Sequence, residues 1–436
     1  MRVAFHTLGC KVNQYETQAI REQFRKAGHE TRQEDDFADV YIVNTCTVTN
    51  LADRKSRQFI RKAKKRNPNA VIAVTGCYAQ TKPDEVCEID GVEIVIGTNE
   101  KNNVLRKVEE YMQNHGASIV VRDYRELTDY EELGVIEAME SRNRAFVKIE
   151  EGCDRFCSYC IIPFARGKVR SRSEESVLDE VKSLVGKGYG EIVLTGINTA
   201  LYGKERGGLE IADLLKEIDG IPGDFRVRLS SLEPTVIDAD YIKKLLECKK
   251  LCHHIHLSVQ SGSDKVLREM NRKYDRKDYL NIVDALRAFD SLYGITTDMI
   301  VGFPGETEEE FQDSVRMIEE AQFSRVHAFK YSQRTGTAAA ARCDEVGGVV
   351  KNRRIERLIE AAEQEREKFN KKNIGMVCRV LTERNENGYI TGYSDNYIKV
   401  YIPEDNFKEA ETSGFYPVKL LKTYKDGMMG EIAGRK

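Results

Sequence analysis

With 436 residues, 41% of them hydrophobic and 32% charged, the chain is long enough for two or three globular domains. No apolar stretch approaches the roughly 20 residues needed to span a membrane, which excludes a membrane-spanning helix and predicts no membrane partner. The net charge of −3 excludes a polycation, so any nucleic-acid surface must be a local patch, and eleven cysteines without a signal-like apolar start predict a reducing cytoplasm with metal-bound thiolates.

The N-terminal region repeats one pattern: an apolar strand-like run, a turn carrying cysteine, then a helical segment. Residues 2–9 end at Cys10, residues 40–45 at Cys46 and residues 71–76 at Cys77. Strands alternating with helices predict a parallel α/β sheet, and ligand sites in such sheets lie at the carboxyl ends of strands. The three cysteines therefore converge although distant in sequence, and a cysteine-held cluster is expected there. Cys87 lies outside the pattern.

Residues 51–66 read as a basic helix, with Arg54, Arg57, Arg61 and Lys65 at helical spacing on one face. This run is either a solvated face or an RNA-phosphate surface. Residues 101–144 carry a helix and then an acidic stretch, of which 124–140 reads as a linker.

The strand at 145–149 delivers Gly152-Cys153-Asp154-Arg155-Phe156-Cys157-Ser158-Tyr159-Cys160. Three thiolates spaced C-x3-C-x2-C can reach one metal centre. Structural zinc favours four ligands, often as two C-x2-C pairs, and no second pair is near. Iron–sulfur clusters are built on thiolates, and three ligands leave one iron of a cubane open. Further strands are expected at 191–195, 226–229, 255–259, 296–301 and 326–331, with helices between them. These make six βα units, a partial (β/α)6 barrel with active groups on the loops after the strands.

Cys248, Cys252, His253, His254 and His256 imitate a metal site. Strand alternation at 255–259 sends neighbouring side chains to opposite faces, so the set cannot all converge. Residues 351–372 form a long amphipathic helix. Beyond it, short strand-like runs at 377–381, 389–393, 398–402 and 418–424 predict a small five-stranded β-barrel. Tyr389, Tyr393, Tyr397 and Tyr401 are available there to stack on bases or to lie half-buried in strands.

Cys153, Cys157 and Cys160 match the signature of the radical S-adenosylmethionine (SAM) superfamily, and Leu8-Gly9-Cys10-Lys11-Val12-Asn13-Gln14-Tyr15-Glu16 resembles the opening of its methylthiotransferases. The tail is similar to the TRAM module, which binds RNA. The resemblance covers essentially the whole chain and implies three domains, at 1–140, 141–372 and 373–436. One departure, Thr335-Gly336-Thr337-Ala338-Ala339, lacks the proline that relatives often carry after the threonine.

The resemblance implies two 4Fe–4S clusters, one on Cys153, Cys157 and Cys160, which take part in catalysis, and an auxiliary one on Cys10, Cys46 and Cys77. Phe156 and Tyr159 would shield the first cluster. Asn198, Ser230, Glu233, Gln260 and Asp298 follow barrel strands and would contact SAM. Arg166 and Arg172 are further candidates for SAM or phosphate.

The implied reaction spends one SAM to methylate a sulfur at the auxiliary site. A second SAM yields the radical that removes hydrogen from C2 of an adenine. The residues 8–16 most resemble the branch acting on N6-threonylcarbamoyladenosine at position 37, beside the anticodon. The alternatives are isopentenyladenosine, a ribosomal-protein aspartate or, more remotely, a non-catalytic iron–sulfur RNA-binding sensor. The implied partners are a tRNA anticodon stem-loop and a flavodoxin- or ferredoxin-type electron donor. A buried threonylcarbamoyl carboxylate requires a cation, and Lys11, Lys148, Arg155 and Arg166 lie on the right segments.

Overall fold

The computed structural model describes residues 1–136, 143–207, 210–235, 237–407 and 413–434. Strands β1 (Arg2–Thr7), β2 (Glu30–Arg32), β3 (Val40–Thr45), β4 (Val71–Gly76), β5 (Ile94–Ile96) and β6 (Ser118–Val120) form a six-stranded sheet in the order β2-β1-β3-β4-β5-β6. Every pairing is parallel. Strands β3 and β4 are buried along their whole length, as expected of a sheet covered on both faces. Helix α1 (Lys11–Lys26) packs Ile20 and Phe24 on one face, while helix α2 (Asn50–Arg66) packs Phe59, Ile60 and Ala63 on the other. Helix α2 starts where Thr49 accepts from the Ala52 N–H at 3.2 Å, and it ends in Lys64, Lys65 and Arg66, which suit the helix dipole.

The middle of the chain forms two parallel sheets that together make one curved wall. Strands β7 (Arg144–Lys148), β8 (Glu150–Glu151), β9 (Arg170–Ser171), β10 (Glu191–Thr195), β11 (Arg226–Leu229), β12 (Ser231–Leu232), β13 (His254–Leu257), β14 (Gly294–Val301) and β15 (Arg325–Lys330) follow in sequence. The sheets are β11-β10-β7 and β12-β13-β14-β15, and β8 and β9 pair separately as a hairpin. Strands β11 and β12 are one extended run broken at Ser230, so the six expected strand positions appear as a wall that changes sheet at that residue.

The wall is open between β7 and β15, and the first sheet's elements cover the gap. Tyr15 and Ala19 of α1 pack with Leu133, Ile136 and Phe146. Arg334, just beyond β15, donates to Asp53 of α2 at 2.7 Å and to Asn50 at 2.6 Å. The stretch expected as a linker is therefore packed structure as far as 136: Leu127, Leu133 and Ile136 are buried, and the Tyr130 hydroxyl donates to the Lys148 carbonyl at 3.0 Å. The rest of that stretch, with the expected boundary at 140–141, lies outside the described residues.

The helix Gly348–Lys372 lays Leu358 and Ala362 on the wall and Phe369 into the last core. Strands β16 (Val377–Glu386), β17 (Tyr389–Tyr393), β18 (Lys399–Pro403), β19 (Gly414–Tyr424) and β20 (Gly427–Ile432) close into a barrel in the order β16-β17-β18-β20-β19. This barrel seals the base of the larger one. Arg226 and Arg228 of β11 share Glu191 of β10 and also reach Asp395 and the Ser394 carbonyl. Tyr397 places its ring 4.5 Å from that of His254. Among the described residues no helix is long and apolar enough to cross a membrane.

Candidate functional site

The loop after β8 carries Cys153, Cys157 and Cys160. It leaves the strand at Gly152, where φ is +85° and an added Cβ would lie 1.9 Å from the Lys168 carbonyl oxygen. No other residue lets the hairpin close so tightly beneath the loop. The Cys153 N–H donates to Gly167 O at 3.0 Å and the Ser158 N–H to Met270 O at 3.0 Å. All three thiols line one cavity of about 220 Å³. Burial pushes all three up, with Arg272 opposing it at Cys157 and Cys160.

Glu233 is the hub of that cavity. It accepts from Asn198 Nδ2 at 2.9 Å and from Arg272 Nη1 at 2.9 Å, and Arg155 Nε lies 3.2 Å away. Arg272 also donates to the Tyr159 hydroxyl at 2.7 Å. Two guanidiniums share one carboxylate, while Asn198 Oδ1 and Arg272 Nε are buried without partners. A cationic excess beside an open acceptor fits a ligand that carries both a carboxylate and an ammonium, as the amino-acid end of SAM does.

Asp298 and Gln260 line the same cavity. Asp298 accepts from Ser258 at 3.0 Å and faces His256 Nε2 at 3.1 Å; burial pushes its carboxyl up, but His256 and Ser258 outweigh this and leave it below the usual range. Gln260 has φ +68° and bridges its backbone to β14. Ser230 sits behind the lining, its hydroxyl accepting from the Gly196 N–H at 3.3 Å. Phe156, expected as a shield, is 47% exposed and sets its ring edge-on to Phe164 at 5.8 Å, outside the cavity lining. The aromatic ring that lines the cavity beside the three thiols is that of Tyr159.

Cys10, Cys46 and Cys77 follow β1, β3 and β4, which are neighbours in the sheet. Gly9 permits their approach: its φ is +108°, and an added Cβ would lie 3.1 Å from Cys46 Sγ. Asn13 ties the loops together, donating to Leu8 O at 2.7 Å and to Thr45 O at 3.0 Å. Burial pushes the Cys46 thiol up to about 12, and the Cys77 and Cys10 thiols add to it. Burial likewise pushes Cys160 up to about 12, and the helix Cys77–Thr81 packs against the helix Ile162–Arg166 that follows Cys160, which brings the two cysteine loops together.

Among the described residues no three His, Cys, Asp or Glu side chains are gathered to hold a single metal ion. A single ion needs its ligands within about 2.3 Å of one point. A cubane spreads three thiolates over three irons, and each triad offers such an all-sulfur donor set.

Between the triads lies a buried ion network. Arg166, with no exposed surface, donates to Glu16 at 2.9 and 3.2 Å, to Glu151 at 2.8 Å and to Asn13 Oδ1 at 2.7 Å. Lys148 bridges Glu16 at 3.0 Å and Glu151 at 2.5 Å, and Lys101 lies 3.3 Å from Glu16. Burial pushes the Glu16 carboxyl up, but Arg166, Lys101 and Lys148 hold it well below the usual range. Arg166 Nε is buried without a partner while the guanidinium acts on Cys77, which leaves a donor free for thiolate or sulfide.

Arg166 is thus not a SAM or phosphate contact, because its hydrogen-bonding edge is filled by protein carboxylates. Arg172 is likewise buried, paired with Glu180 and with Glu132 at 2.9 Å. A second cavity of about 220 Å³ opens between the two halves, bounded by Val48 and Thr49 from the Cys46 loop and by Cys160, Gln260, Asp298 and Phe329.

On α2, Arg54, Arg61 and Lys65 are exposed and carry no ion pair among the described residues. Arg57 differs from the expectation: its guanidinium donates to the Tyr78 hydroxyl at 2.8 Å and to Glu85 at 3.1 Å. The Cys248–His256 group does not converge. His253 bonds Asp290, His254 and His256 bond Thr296, and Cys248 faces Leu215 and Asp219. In the tail, Tyr393 stacks on Tyr397 at 4.9 Å inside the barrel junction, whereas Tyr389, Tyr401 and Tyr424 cluster around Lys425.

Sequence reasoning missed Arg272, Lys101, Glu151 and the role of Glu16. Only Glu16 left a signal, a carboxylate three residues after Asn13 on the buried face of α1.

Residues 147–318 match the family model described as Radical SAM superfamily, and residues 2–97 match Uncharacterized protein family UPF0004. The chain is 45% identical to Threonylcarbamoyladenosine tRNA methylthiotransferase MtaB of Bacillus subtilis (strain 168), covering 99% of this chain and 96% of that one. It is 38% identical to tRNA-2-methylthio-N(6)-dimethylallyladenosine synthase of Clostridium novyi (strain NT), over 88% and 85%. Among solved structures it is similar to the radical S-adenosylmethionine methyltransferase TsrM from Kitasatospora setae, solved with cobalamin and a 4Fe-4S cluster bound. The TM-score is 0.58 at 16% identity, over 78% of this chain and 77% of that one, a likeness of fold alone.

Proposed function

The chain belongs to the radical SAM methylthiotransferases that act on tRNA, and from that premise we propose that it converts N6-threonylcarbamoyladenosine at position 37, beside the anticodon, to its 2-methylthio derivative. The observation that carries this reading is the packing of one cysteine triad against the other: the helix opening at Cys77 lies on the helix Ile162–Arg166 that follows Cys160, and Val48 and Thr49 after Cys46 share a cavity with Cys160. A single-cluster enzyme has no use for the second triad, and a passive sensor has no use for the SAM-like lining of Glu233, Asn198, Arg155 and Arg272.

Cys153, Cys157 and Cys160 hold one 4Fe–4S cluster and Cys10, Cys46 and Cys77 the auxiliary one. When bound, the clusters and SAM supply the electron and the hydrogen-abstracting chemistry that an unactivated adenine C2–H demands. Glu233 and Asn198 take the ammonium of SAM, and Arg155 and Arg272 take its carboxylate. Tyr159 keeps water from the thiolates. The Arg166–Glu16–Glu151–Lys148 network fixes one triad against the other, so the reacting groups stay aligned.

The three parts of the chain divide the work: 1–140 holds the auxiliary cluster, 141–372 the SAM site, and 373–436 grips RNA. Arg54, Arg61 and Lys65 add phosphate contacts from the exposed face of α2. The setting is the cytoplasm, with electrons from a flavodoxin- or ferredoxin-type donor.

The test offers anaerobically reconstituted protein three anticodon stem-loops, bearing unmodified, isopentenyl- or threonylcarbamoyl-adenosine. Mass spectrometry should find methylthio only on the threonylcarbamoyl loop. Comparable product on the isopentenyl loop would make the dimethylallyl branch the correct one, and no 5′-deoxyadenosine with any loop would leave no radical enzyme at all.

A further inference from the structure

Strand β15 ends the sheet β12-β13-β14-β15, so its outer edge pairs with no strand among the described residues. Its pairing with β14 sets Arg325, His327 and Phe329 beside Thr296, Asp298 and Ile300. Asp298 and Ile300 line the cavity between the cysteine triads, so these three alternate side chains of β15 share the face of the site. Val326 and Ala328 point the other way, into the wall core against the helix Gly348–Lys372.

A third cavity, of about 290 Å³, lies along this edge between β15 and that helix. Phe329 bounds it and also bounds the cavity between the triads, so the two spaces share one ring. That ring is 47% exposed and packs on no other ring among the described residues, and Ile359 in the same groove is 43% exposed. Arg325 and Arg366 line the groove too, and neither guanidinium makes a hydrogen bond or ion pair among the described residues, even with Glu363 in the same lining. The arginines nearer the cysteines are all committed: Arg155 and Arg272 to Glu233, Arg166 to Glu16 and Glu151, Arg334 to Asp53. An open ring flanked by two uncommitted guanidiniums offers a stacking face and forked donors, which suit the base and phosphate of a nucleotide.

The reaction needs such a place. An adenosine that enters the cavity between the triads must leave the stack of its neighbours, and side chains must then replace the lost stacking for the opened strand to be held. Phe329 stands at the boundary of the two cavities, between the target base on one side and its neighbour on the other.

We propose that the β15 groove binds the nucleotide adjoining the target adenosine in the same RNA strand, its base against Phe329 and the adjoining phosphates on Arg325 and Arg366. The proposal rests on the tRNA reading above and adds the site that holds the loop open. A ring accepts any base, so the groove grips the strand without reading its sequence.

The experiment measures binding of fluorescent threonylcarbamoyl-adenosine stem-loops to the reconstituted full chain over a salt series, using intact loops and loops lacking the base on the 5′ or the 3′ side of the target. The parent should lose at least about fivefold in affinity when one of these two bases is missing. Phe329→Ala should bind the intact loop weaker by the same factor and be indifferent to the missing base, while Phe329→Tyr keeps the parent's behaviour. Arg325→Gln combined with Arg366→Gln should flatten the slope of log affinity against log salt by about 0.7 for each phosphate released. Iron content and thermal midpoint report on folding, and Phe329→Leu keeps an apolar side chain should Phe329→Ala lose iron. Folded, iron-loaded variants that keep the parent's response to the missing base, or the parent's salt slope, overturn the groove. A parent that shows both binding signatures yet methylthiolates no loop brings down the substrate reading instead, since the binding measurements need no turnover.

Discussion

Arg166 and Glu16 meet as a two-pronged pair across the junction of the two halves, at 2.9 and 3.2 Å and fully out of solvent. One follows the last cysteine of the SAM loop, and the other follows Cys10 on α1. The pair therefore sets the spacing of two loops that share no strand. Removing one partner of a buried pair strands the other, which costs about 3–5 kcal/mol. Arg166→Met should lower unfolding stability by that order in chemical denaturation, and Arg166→Lys by less. A change within 1 kcal/mol for Arg166→Met would mean that Lys148 and Lys101 alone satisfy Glu16 and Glu151.

Iron content separates the two triads. Anaerobic reconstitution should load about eight irons per chain, as two four-iron clusters. Replacing Cys153, Cys157 and Cys160 with alanine should leave about half, and so should replacing Cys10, Cys46 and Cys77. Parental iron in either triple variant would remove that triad from the ligand set.

The exposed cations of α2 should govern RNA affinity and its response to salt. Arg54, Arg61 and Lys65 reversed to glutamate should weaken tRNA binding and flatten its salt slope, because fewer counterions are released. Arg57→Glu should act differently: it breaks the contacts to Tyr78 and Glu85, so the loss should appear in thermal stability. An unchanged salt slope in the triple reversal would make this face merely solvated.

Deleting the last barrel at Lys372 should damage more than RNA binding. The cut removes the partners of Arg226 and Arg228 at the base of the larger barrel and uncovers His254. The shortened chain should show a lowered thermal midpoint and poor iron retention. A deletion variant as stable and iron-rich as the parent would reduce the junction to a passive contact.

Stability should carry a pH signature from Glu306. Burial pushes its carboxyl up to about 7 from an ordinary 4.5, against the Gly302 N–H and the Arg354 guanidinium, both at 2.7 Å. The folded form then keeps a proton that the unfolded chain has released. This contribution is full below about 4.5 and declines as pH rises to about 7. Glu306→Gln should flatten that part of the profile in urea unfolding between pH 5 and 8. Matching slopes in the two proteins would show that Arg354 keeps the carboxylate ionised throughout.

What the sequence revealed depended on how local the cause was. The strand-end cysteines were readable because β1, β3 and β4 each pair an apolar run with a turn. The six wall strands were readable for the same reason, whereas β12 is too short to carry a period of its own. Arg166 was misread because a basic run looks the same whether its partners are phosphate or a distant carboxylate such as Glu16. Phe156 was misread because adjacency to cysteine does not fix the direction of a ring. Arg272 left no trace, since its tie to Glu233 is made only when the wall closes.

Tyr397 closes the floor of the larger barrel beneath His254, and it comes from the last barrel of the chain. A ribosome delivers both cysteine triads long before it delivers that floor. The thiols are complete as a set while their chamber is still open to water from below. Lasting retention of iron is therefore a property of the finished, released polypeptide, and chains halted before the tail should be the population most vulnerable to oxidation.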